Sequence, residues 1–361
     1  MTDSTDHGQR FTLLQTPEFV AELHEALDGA RRRILIQLMT FDGDDAGLAV
    51  ARRLTAAVER GVKVRLLIDC FVMRFVSDRP VTRREVRGEA AATQAMYRRL
   101  RQAGVELTFT HPHGPANLFS LARNHKKLFV VDDDVYLGGI NVSDHNFAWH
   151  DFMVRIRDDR ILTDVVEDFE VTLAGGRRSV NRTIVTNREV EKLFNSLVLG
   201  ARRSVELASP YALDVGLTQL LARATAAHKR VITSRRNNFL LYRAMTPYLA
   251  WRLRRSGTAI ASYTNFSHSK FLLVDDERLL IGSSNFGRHS FWCNEELCLL
   301  IDDPGFVRQF KATLLRGTEP IDGPRPAIKV AFGGLVSWMM YASLIGLRYT
   351  VASRVPNLSR R

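Results

Sequence analysis

The chain has 361 residues, of which 45% are hydrophobic and 25% are charged, and this composition excludes a disordered or fibrous protein. A formal net charge of +12 favours binding to polyanions, either nucleic acid or an anionic membrane, and charge alone does not choose between them. Three cysteines without metal-ligand spacing predict buried thiols in a reducing compartment.

The first elements of the chain alternate between helix and strand. The N-terminal segment is polar and does not resemble a secretory signal, so we expect the body of the protein to lie in the cytoplasm. After it, the apolar spacing predicts helices at 17–30, 46–61 and 96–104, and strands at 34–41, 62–70 and 105–110.

The same order of elements returns in the second part of the chain. Helices are predicted at 188–201, 215–230 and 249–257, and strands at 205–211, 231–234 and 258–264. Two copies of one topology predict an α/β protein with mostly parallel strands and a pseudo-twofold axis. We therefore divide the chain into halves at 1–175 and 176–322 and a tail at 323–361.

Each half then continues into a segment with a histidine and a lysine two residues apart. The segments are NHKKLFVVDDDVYLGGINVSDHNFAWHD at 124–151 and SHSKFLLVDDERLLIGSSNFGRHSFWCNEE at 267–296. Residues two apart in a strand point to the same face, so His125 emerges beside Lys127 and His268 beside Lys270.

A return strand in each segment ends in a turn of small residues followed by asparagine. Gly139 precedes Asn141 in the first copy, and Ser283 precedes Asn285 in the second. Lysines and asparagines can hold phosphate oxygens, while one imidazole attacks phosphorus and the other protonates the leaving oxygen. We therefore predict a phosphate site at the seam between the halves, with no metal and no other cofactor.

The paired H-x-K-x4-D segments, followed by GGIN and GSSN, resemble the phospholipase D superfamily. Within it the chain looks most like the bacterial cardiolipin synthases and related phosphatidyltransferases, and the segments that carry this resemblance are LFSLARNHKKLFVVDD (118–133), GGIN in the first copy, WHD (149–151), ASPY (208–211) and RHSFWCNEEL (288–297). The resemblance covers roughly residues 15–315. It implies two α/β/α halves packed sheet to sheet, with the active site at their seam. It also implies a covalent phosphohistidine, with His125 as the nucleophile and His268 as general acid and later base. The reverse assignment of the two histidines stays open.

The resemblance further implies that an acid downstream of each motif orients an imidazole. Glu296 fits this role, and Asp151 is the second candidate, with Glu295 and Asp144 as alternatives. The signature aspartates Asp132 and Asp275 occupy turns, so we expect them to hydrogen-bond the hairpin backbone.

The first copy is one residue shorter than the second between its signature aspartate and its glycine pair. We expect the turn to absorb this difference without moving the histidine. His111 and His113 are expected in a solvated loop.

The C-terminal tail contains a run without charged side chains from Val330 to Leu347. Its length is marginal for a membrane span, which leaves a membrane-associated helix or a helix docked on the body. The partners we predict are an anionic phospholipid and the cytoplasmic face of the cell membrane, with peripheral or tail-anchored attachment and no nucleic acid.

The function predicted first is phosphatidyl transfer that makes cardiolipin from phosphatidylglycerol or a related donor. Hydrolysis of phospholipid to phosphatidic acid is the alternative, because the same residues serve both reactions and only the acceptor differs. A metal-independent nuclease and a lipid-binding protein without activity are further alternatives. The donor, the acceptor and the oligomeric state stay open.

Overall fold

The computed structural model describes residues 9–113, 121–176, 183–211, 214–234, 240–321 and 326–350. The strands of the first half are β1 (Phe11–Gln15), β2 (Arg33–Leu38), β3 (Lys63–Asp69), β4 (Phe75–Val76), β5 (Arg79–Pro80), β6 (Glu106–Thr110), β7 (Leu128–Val131), β8 (Asp134–Gly138) and β9 (Phe152–Ile156). Its helices are α1 (Thr16–Gly29), α2 (Asp45–Glu59), α3 (Arg87–Gln102), α4 (Asp144–Ala148) and α5 (Asp159–Leu173).

The second half repeats this order of elements. Its strands are β10 (Ile184–Thr186), β11 (Ser204–Ala208), β12 (His228–Ile232), β13 (Ala259–Tyr263), β14 (Phe271–Val274), β15 (Arg278–Gly282), β16 (Leu297–Ile301) and β17 (Thr318–Pro320). Its helices are α6 (Arg188–Gly200), α7 (Val215–Arg223), α8 (Leu240–Arg255), α9 (Arg288–Cys293), α10 (Pro304–Leu314) and α11 (Ala327–Thr350).

Each half is built on a mixed sheet. The strand orders are β1-β9-β8-β7-β2-β3-β6 and β10-β16-β15-β14-β11-β12-β13-β17. In the first sheet β2, β3 and β6 are parallel, whereas β7, β8, β9 and β1 pair antiparallel. The prediction of mostly parallel strands is therefore wrong, because the histidine hairpins and the strands beside them add antiparallel pairs to each parallel trio.

The two sheets pack face to face around a shared apolar core. Leu128 and Val130 from β7 join Phe271 and Leu273 from β14 in one buried cluster, to which α5 and α10 also contribute. The opposite face of each sheet is covered by helices, α1–α3 in the first half and α6–α8 in the second. The alternation of helices and strands predicted this layering, since each buried sheet face needs an apolar partner.

The second half departs from prediction at the end of α7. The predicted helix over 215–230 ends at Arg223, because the backbone of Ala224 is extended and β12 begins at His228 to pair with β11. Lys229 donates from Nζ to the carbonyls of Leu221 (3.0 Å) and Ala224 (3.1 Å), so its side chain caps the helix end.

The hairpins that follow the two motifs differ in their turns. Val131 pairs with Asp134 across β7–β8, leaving two residues in the turn, whereas Val274 pairs with Arg278 across β14–β15, leaving three. The one-residue difference in the sequence is therefore absorbed in the turn, as predicted.

The apolar tail forms α11, which lies against α8 and α9. Among the described residues, α11 is the one helix that is long enough and apolar enough to cross a membrane. Ser337 and Leu344 are buried, whereas Phe332 and Leu335 are more than half exposed. The helix is thus docked on the body by one face and apolar on the other, so the docked alternative is confirmed and membrane association stays a prediction.

Candidate active site

The two motif segments meet at the seam through backbone contacts that relate the halves. A parallel bridge joins Asn124 to Glu295, and a second joins His150 to Ser267. The His125 amide donates to the Glu295 carbonyl at 2.9 Å, and the His268 amide donates to the His150 carbonyl at 2.9 Å. Each motif histidine is therefore held beside the acid-bearing segment of the other half.

The imidazoles and the acids pair across the seam. His125 Nδ1 lies 3.0 Å from Glu296 Oε2, and His268 Nδ1 lies 2.9 Å from Asp151 Oδ2. All four side chains are buried. A neutral imidazole that donates from Nδ1 to a carboxylate keeps the lone pair of Nε2 available for attack on an electrophile.

Burial keeps both imidazoles neutral at pH 7 in the absence of substrate. Desolvation lowers the pKa of His125 to about 4, with Lys127 and Lys270 lowering it further and Glu296 opposing them. Desolvation and the adjacent Lys270 lower the pKa of His268 to about 3, against the opposing effect of Asp151. The site therefore contains two uncharged imidazoles beside the two motif lysines.

The two motif lysines are fully buried. Lys127 Nζ donates to the His125 carbonyl at 2.7 Å, and Lys270 Nζ donates to the His268 carbonyl at 2.6 Å. Desolvation and the neighbouring Lys270 lower the pKa of Lys127 to about 7, and desolvation lowers that of Lys270 to about 8. Two buried lysine amines that have no ion-paired carboxylate among the described residues form a place where an anion is favourable.

The residues around the two asparagines are not equivalent in the two halves. Ser283 donates from its hydroxyl to Glu296, whereas a Cβ on Gly139 would lie 2.5 Å from Asp151 Oδ2. Asn141 Oδ1 accepts from the Thr40 amide at 3.3 Å, while Asn285 Oδ1 is buried and has no hydrogen-bond partner in the part of the chain that the structure describes. Only the second half has room for a hydroxyl beside its acid.

The signature aspartates lie at the far ends of the motif strands and bind the backbone. Asp132 accepts from the amides of residues 31–33 at 2.8–3.1 Å, and Asp275 accepts from those of residues 202–204 at 2.7–3.1 Å. The expected backbone contacts exist, but they hold the start of the neighbouring strand, β2 or β11, instead of the hairpin.

The two alternative acids lie elsewhere. Asp144 accepts from the Ala46 amide at 2.8 Å at the start of α2, and Glu295 Oε1 lies 3.4 Å from His111 Nε2. Asp151 is therefore the acid that the structure brings to His268. His111 is buried, so its expected place in a solvated loop is wrong.

One group among the described residues has the spacing of a metal site, with ligand atoms of Asp42, Asp44 and His145 within 4.8 Å of one another. It lies outside the paired imidazoles. The Asp44 carboxylate already accepts from the amides of Gly47 and Asp144, which is the hydrogen bonding of a helix cap. Helix capping accounts for Asp44 without an ion.

Aromatic side chains around His268 were missed by sequence reasoning. The Trp149 ring centroid lies 5.0 Å from that of His268, and the Tyr211 centroid lies 6.2 Å away. Beside the other motif, buried Asp69 accepts from the Arg123 guanidinium at 3.0 Å and the Asn124 amide at 2.6 Å. For the contact between Trp149 and His268, the position of Trp149 two residues before Asp151 was a signal in the sequence.

The fold and the paired segments define a phospholipase D-like protein with two halves. The family described as "Cardiolipin synthase, PLD-like domain" matches residues 23–173 and 196–316, and the chain belongs to this family. Relatives include the major cardiolipin synthase of Bacillus subtilis, which is 25% identical in a 350-residue alignment that covers 87% of this chain and 67% of that protein. Cardiolipin synthase A of Pseudomonas putida strain W619 is 27% identical in a 323-residue alignment that covers 80% of this chain and 64% of that protein.

Solved structures share the fold at low sequence identity. Phosphatidylserine synthase of Haemophilus influenzae superposes with a TM-score of 0.70 at 14% identity and 95% coverage of both chains. Polyphosphate kinase of Porphyromonas gingivalis gives 0.61 at 13% identity, covering 93% of this chain and 53% of the kinase. The chain spans about two thirds or less of the length of the cardiolipin synthases compared above.

Proposed function

We propose that the protein transfers a phosphatidyl group through a phosphohistidine and makes cardiolipin from phosphatidylglycerol or a related donor. The observation that supports this is the crossed pairing of the imidazoles: both histidines are bound to a carboxylate through Nδ1, next to two buried lysines. Relatives named cardiolipin synthase supply the lipid substrate class.

In the first step, the lone pair of His125 Nε2 attacks phosphorus. A P–N bond forms, the P–O bond to the donor headgroup breaks, and the leaving oxygen takes a proton from His268. The negative charge of the diester favours the protonated form of His268 beside the lysines, although its pKa in the free protein is about 3. Lys127 and Lys270 offset the charge that develops on the phosphate oxygens.

In the second step, the acceptor alcohol gives its proton to His268 and attacks phosphorus. A P–O bond forms, the P–N bond breaks, and His125 is released in its original state. Water in place of the alcohol would give phosphatidic acid, so the acceptor that reaches the site decides the product. Glu296 and Asp151 each stabilise the charge on the imidazole they contact.

We also propose that the protein works at the cytoplasmic face of the membrane, attached peripherally or by its C-terminal tail. The support is the lipid chemistry of the relatives, the net charge of +12 and the apolar outward face of α11. An anionic membrane surface attracts such a protein to the place where its substrate lies.

Labelled phosphatidylglycerol in vesicles tests the reaction class. Cardiolipin as the main labelled product supports the proposal, phosphatidic acid as the main product replaces transfer with hydrolysis, and cleavage of DNA with neither lipid product would indicate a nuclease. A matched histidine substitution on the exposed end of β12, His228→Ala, controls for loss of a histidine and should leave turnover unchanged.

A substrate with a p-nitrophenol leaving group assigns the two histidines. Such a leaving group needs no proton, so His268→Ala should release about one equivalent of nitrophenol in a burst and then stall. His125→Ala should release none. The opposite pattern would exchange the two roles, and a burst from neither variant would contradict a covalent intermediate.

A further inference from the structure

The outward surface formed by α8 and α11 carries many exposed apolar side chains. On α11, the outward face carries Ile328, Phe332, Leu335, Trp338, Met339 and Ile345, all between 37% and 78% exposed. Leu240, Leu241 and Trp251 extend this face along α8, with exposures of 39–77%. We call these nine residues the α8–α11 surface. Nine exposed large apolar side chains on two packed helices mark a contact with a partner or a membrane.

The inward face of α11 is fixed on the protein by close contacts. A Cβ on Gly333 would lie 2.7 Å from the Ala244 carbonyl oxygen, so the two helix backbones approach closely. At the edge of this interface, Trp338, which is 44% exposed, donates from Nε1 to Tyr248 Oη at 2.9 Å. Because α11 contacts protein between Gly333 and Leu344, lipid cannot surround this part of the helix as it would surround a lone spanning helix.

The charges on this helix pair have one sign. The two helices together contain six basic and no acidic residues. Arg243, Arg255 and Lys329 are exposed, and the Arg255 guanidinium lies 5.1 Å from the Trp251 ring centroid. Basic residues bordering an apolar face with tryptophans are the pattern of a helix that lies in an anionic membrane interface.

The same surface continues to the paired histidines. Leu240 and Leu241 begin α8, and the next residue, Tyr242, lies with its ring centroid 5.1 Å from that of Tyr211. Tyr211 in turn lies 6.2 Å from His268, also measured between ring centroids. Aromatic contacts therefore join the exposed leucines to the wall of the catalytic site.

We infer that the α8–α11 surface binds an anionic bilayer in the plane of its interface and holds the His268 side of the site at the headgroup level. The inference rests on the proposed function for the identity of the lipid substrate. It goes beyond that function by assigning the membrane contact to one face of two packed helices, with α11 lying along the membrane instead of crossing it.

Vesicle sedimentation with phosphatidylglycerol and phosphatidylcholine at equal amounts tests the contact. Phe332→Glu with Leu335→Glu should lower binding by about tenfold or more, because two carboxylates would enter the interface. Leu199→Glu on α6 is the matched control, since Leu199 is 38% exposed outside this surface, and it should change binding by less than about twofold. Unchanged melting temperatures establish that all variants fold.

Binding is measured on protein that carries His125→Ala, so that lipid turnover does not alter the vesicles. A failed reaction and a failed membrane contact are then separate results. Equal binding of the double variant and the control would overturn the inference. Concentration-dependent dimerisation in solution, abolished by the double variant and without vesicle binding, would assign the surface to a second copy instead.

Depth-dependent fluorescence quenching tests the in-plane orientation. In a variant that keeps Trp338 and replaces the other three tryptophans with phenylalanine, lipids brominated near the headgroup should quench more strongly than lipids brominated near the chain ends. The reverse order would place α11 across the bilayer and overturn this part of the inference.

Discussion

Replacement of Lys127 by methionine should abolish turnover and yet stabilise the fold. The ammonium is fully buried, and the pKa of Lys127 is lowered from 10.5 to about 7. At pH 7 this shift corresponds to about 4 kcal/mol of lost stability, because the unfolded chain binds the proton far more tightly. Loss of the hydrogen bond to the His125 carbonyl costs about 1 kcal/mol, so a net gain of about 3 kcal/mol is expected.

The adjacent lysine is a matched control with the opposite sign. Lys126 is also buried, but its Nζ lies 2.8 and 3.0 Å from the two carboxylate oxygens of buried Asp168. Lys126→Met leaves that carboxylate unpaired and should destabilise the protein by about 3–5 kcal/mol. Two neighbouring lysines of equal burial should therefore respond to the same substitution in opposite directions.

Urea denaturation at pH 7 and pH 10 measures both variants. Between about pH 7 and 10.5 the unfolded wild-type chain keeps a proton on Lys127 that the native state releases, so wild-type stability rises with pH in this window. The advantage of Lys127→Met should therefore fall below about 1 kcal/mol at pH 10. A variant less stable than wild type at pH 7, or a shift of the same sign in both lysine variants, would refute the reasoning.

Four further predictions follow from the site. Asp132→Ala and Asp275→Ala should each lower the free energy of unfolding, measured in urea, by about 2–3 kcal/mol, because three backbone amides lose their acceptor. Asp133→Ala is the control and should change the free energy of unfolding by under about 0.5 kcal/mol, since the Asp133 side chain is 61% exposed. Glu296→Gln should lower kcat by about 10²–10⁴-fold in steady-state kinetics, since the His125 imidazolium loses its carboxylate; an unchanged kcat would contradict the role of this acid. Turnover should survive dialysis against EDTA, and a loss restored by a divalent ion would count against a metal-free site. Thermal stability should fall as the pH decreases from about 6.5 towards 4, because the unfolded chain protonates both motif histidines before the native state does.

Most of what could be predicted from the sequence followed from its internal repeat. The spacing of His125 with Lys127 and of His268 with Lys270 located both motifs, since strand geometry alone places residues two apart on one face. The order of helices and strands predicted layered α/β halves. Strand direction was mispredicted. The helices that connect parallel strands are long and have a clear apolar period in the sequence, whereas the antiparallel strands beyond the hairpins are short.

The pairing of each imidazole with its acid could not be predicted. Glu296 lies 171 residues from His125, and Asp151 lies 117 residues from His268, so neither contact leaves a local pattern. His111 illustrates the same limit, because it is buried with its Nε2 3.4 Å from Glu295 Oε1 of the other half. Sequence reasoning could name the candidates, but which of Asp144, Asp151 and Glu295 reaches an imidazole depends on how the two sheets pack.

The exchange of acids between the halves makes assembly a condition for chemistry. A nascent chain released after the first half would carry His125 without Glu296, and Asp151 without the imidazole it serves. Under the proposed mechanism, such a fragment lacks the carboxylate that pairs with His125 and the second proton carrier, so we expect that a partly synthesised protein does not attack the lipids around it. On this proposal the pseudo-twofold seam acts as a safeguard, since reactivity arises only after both sheets have packed together.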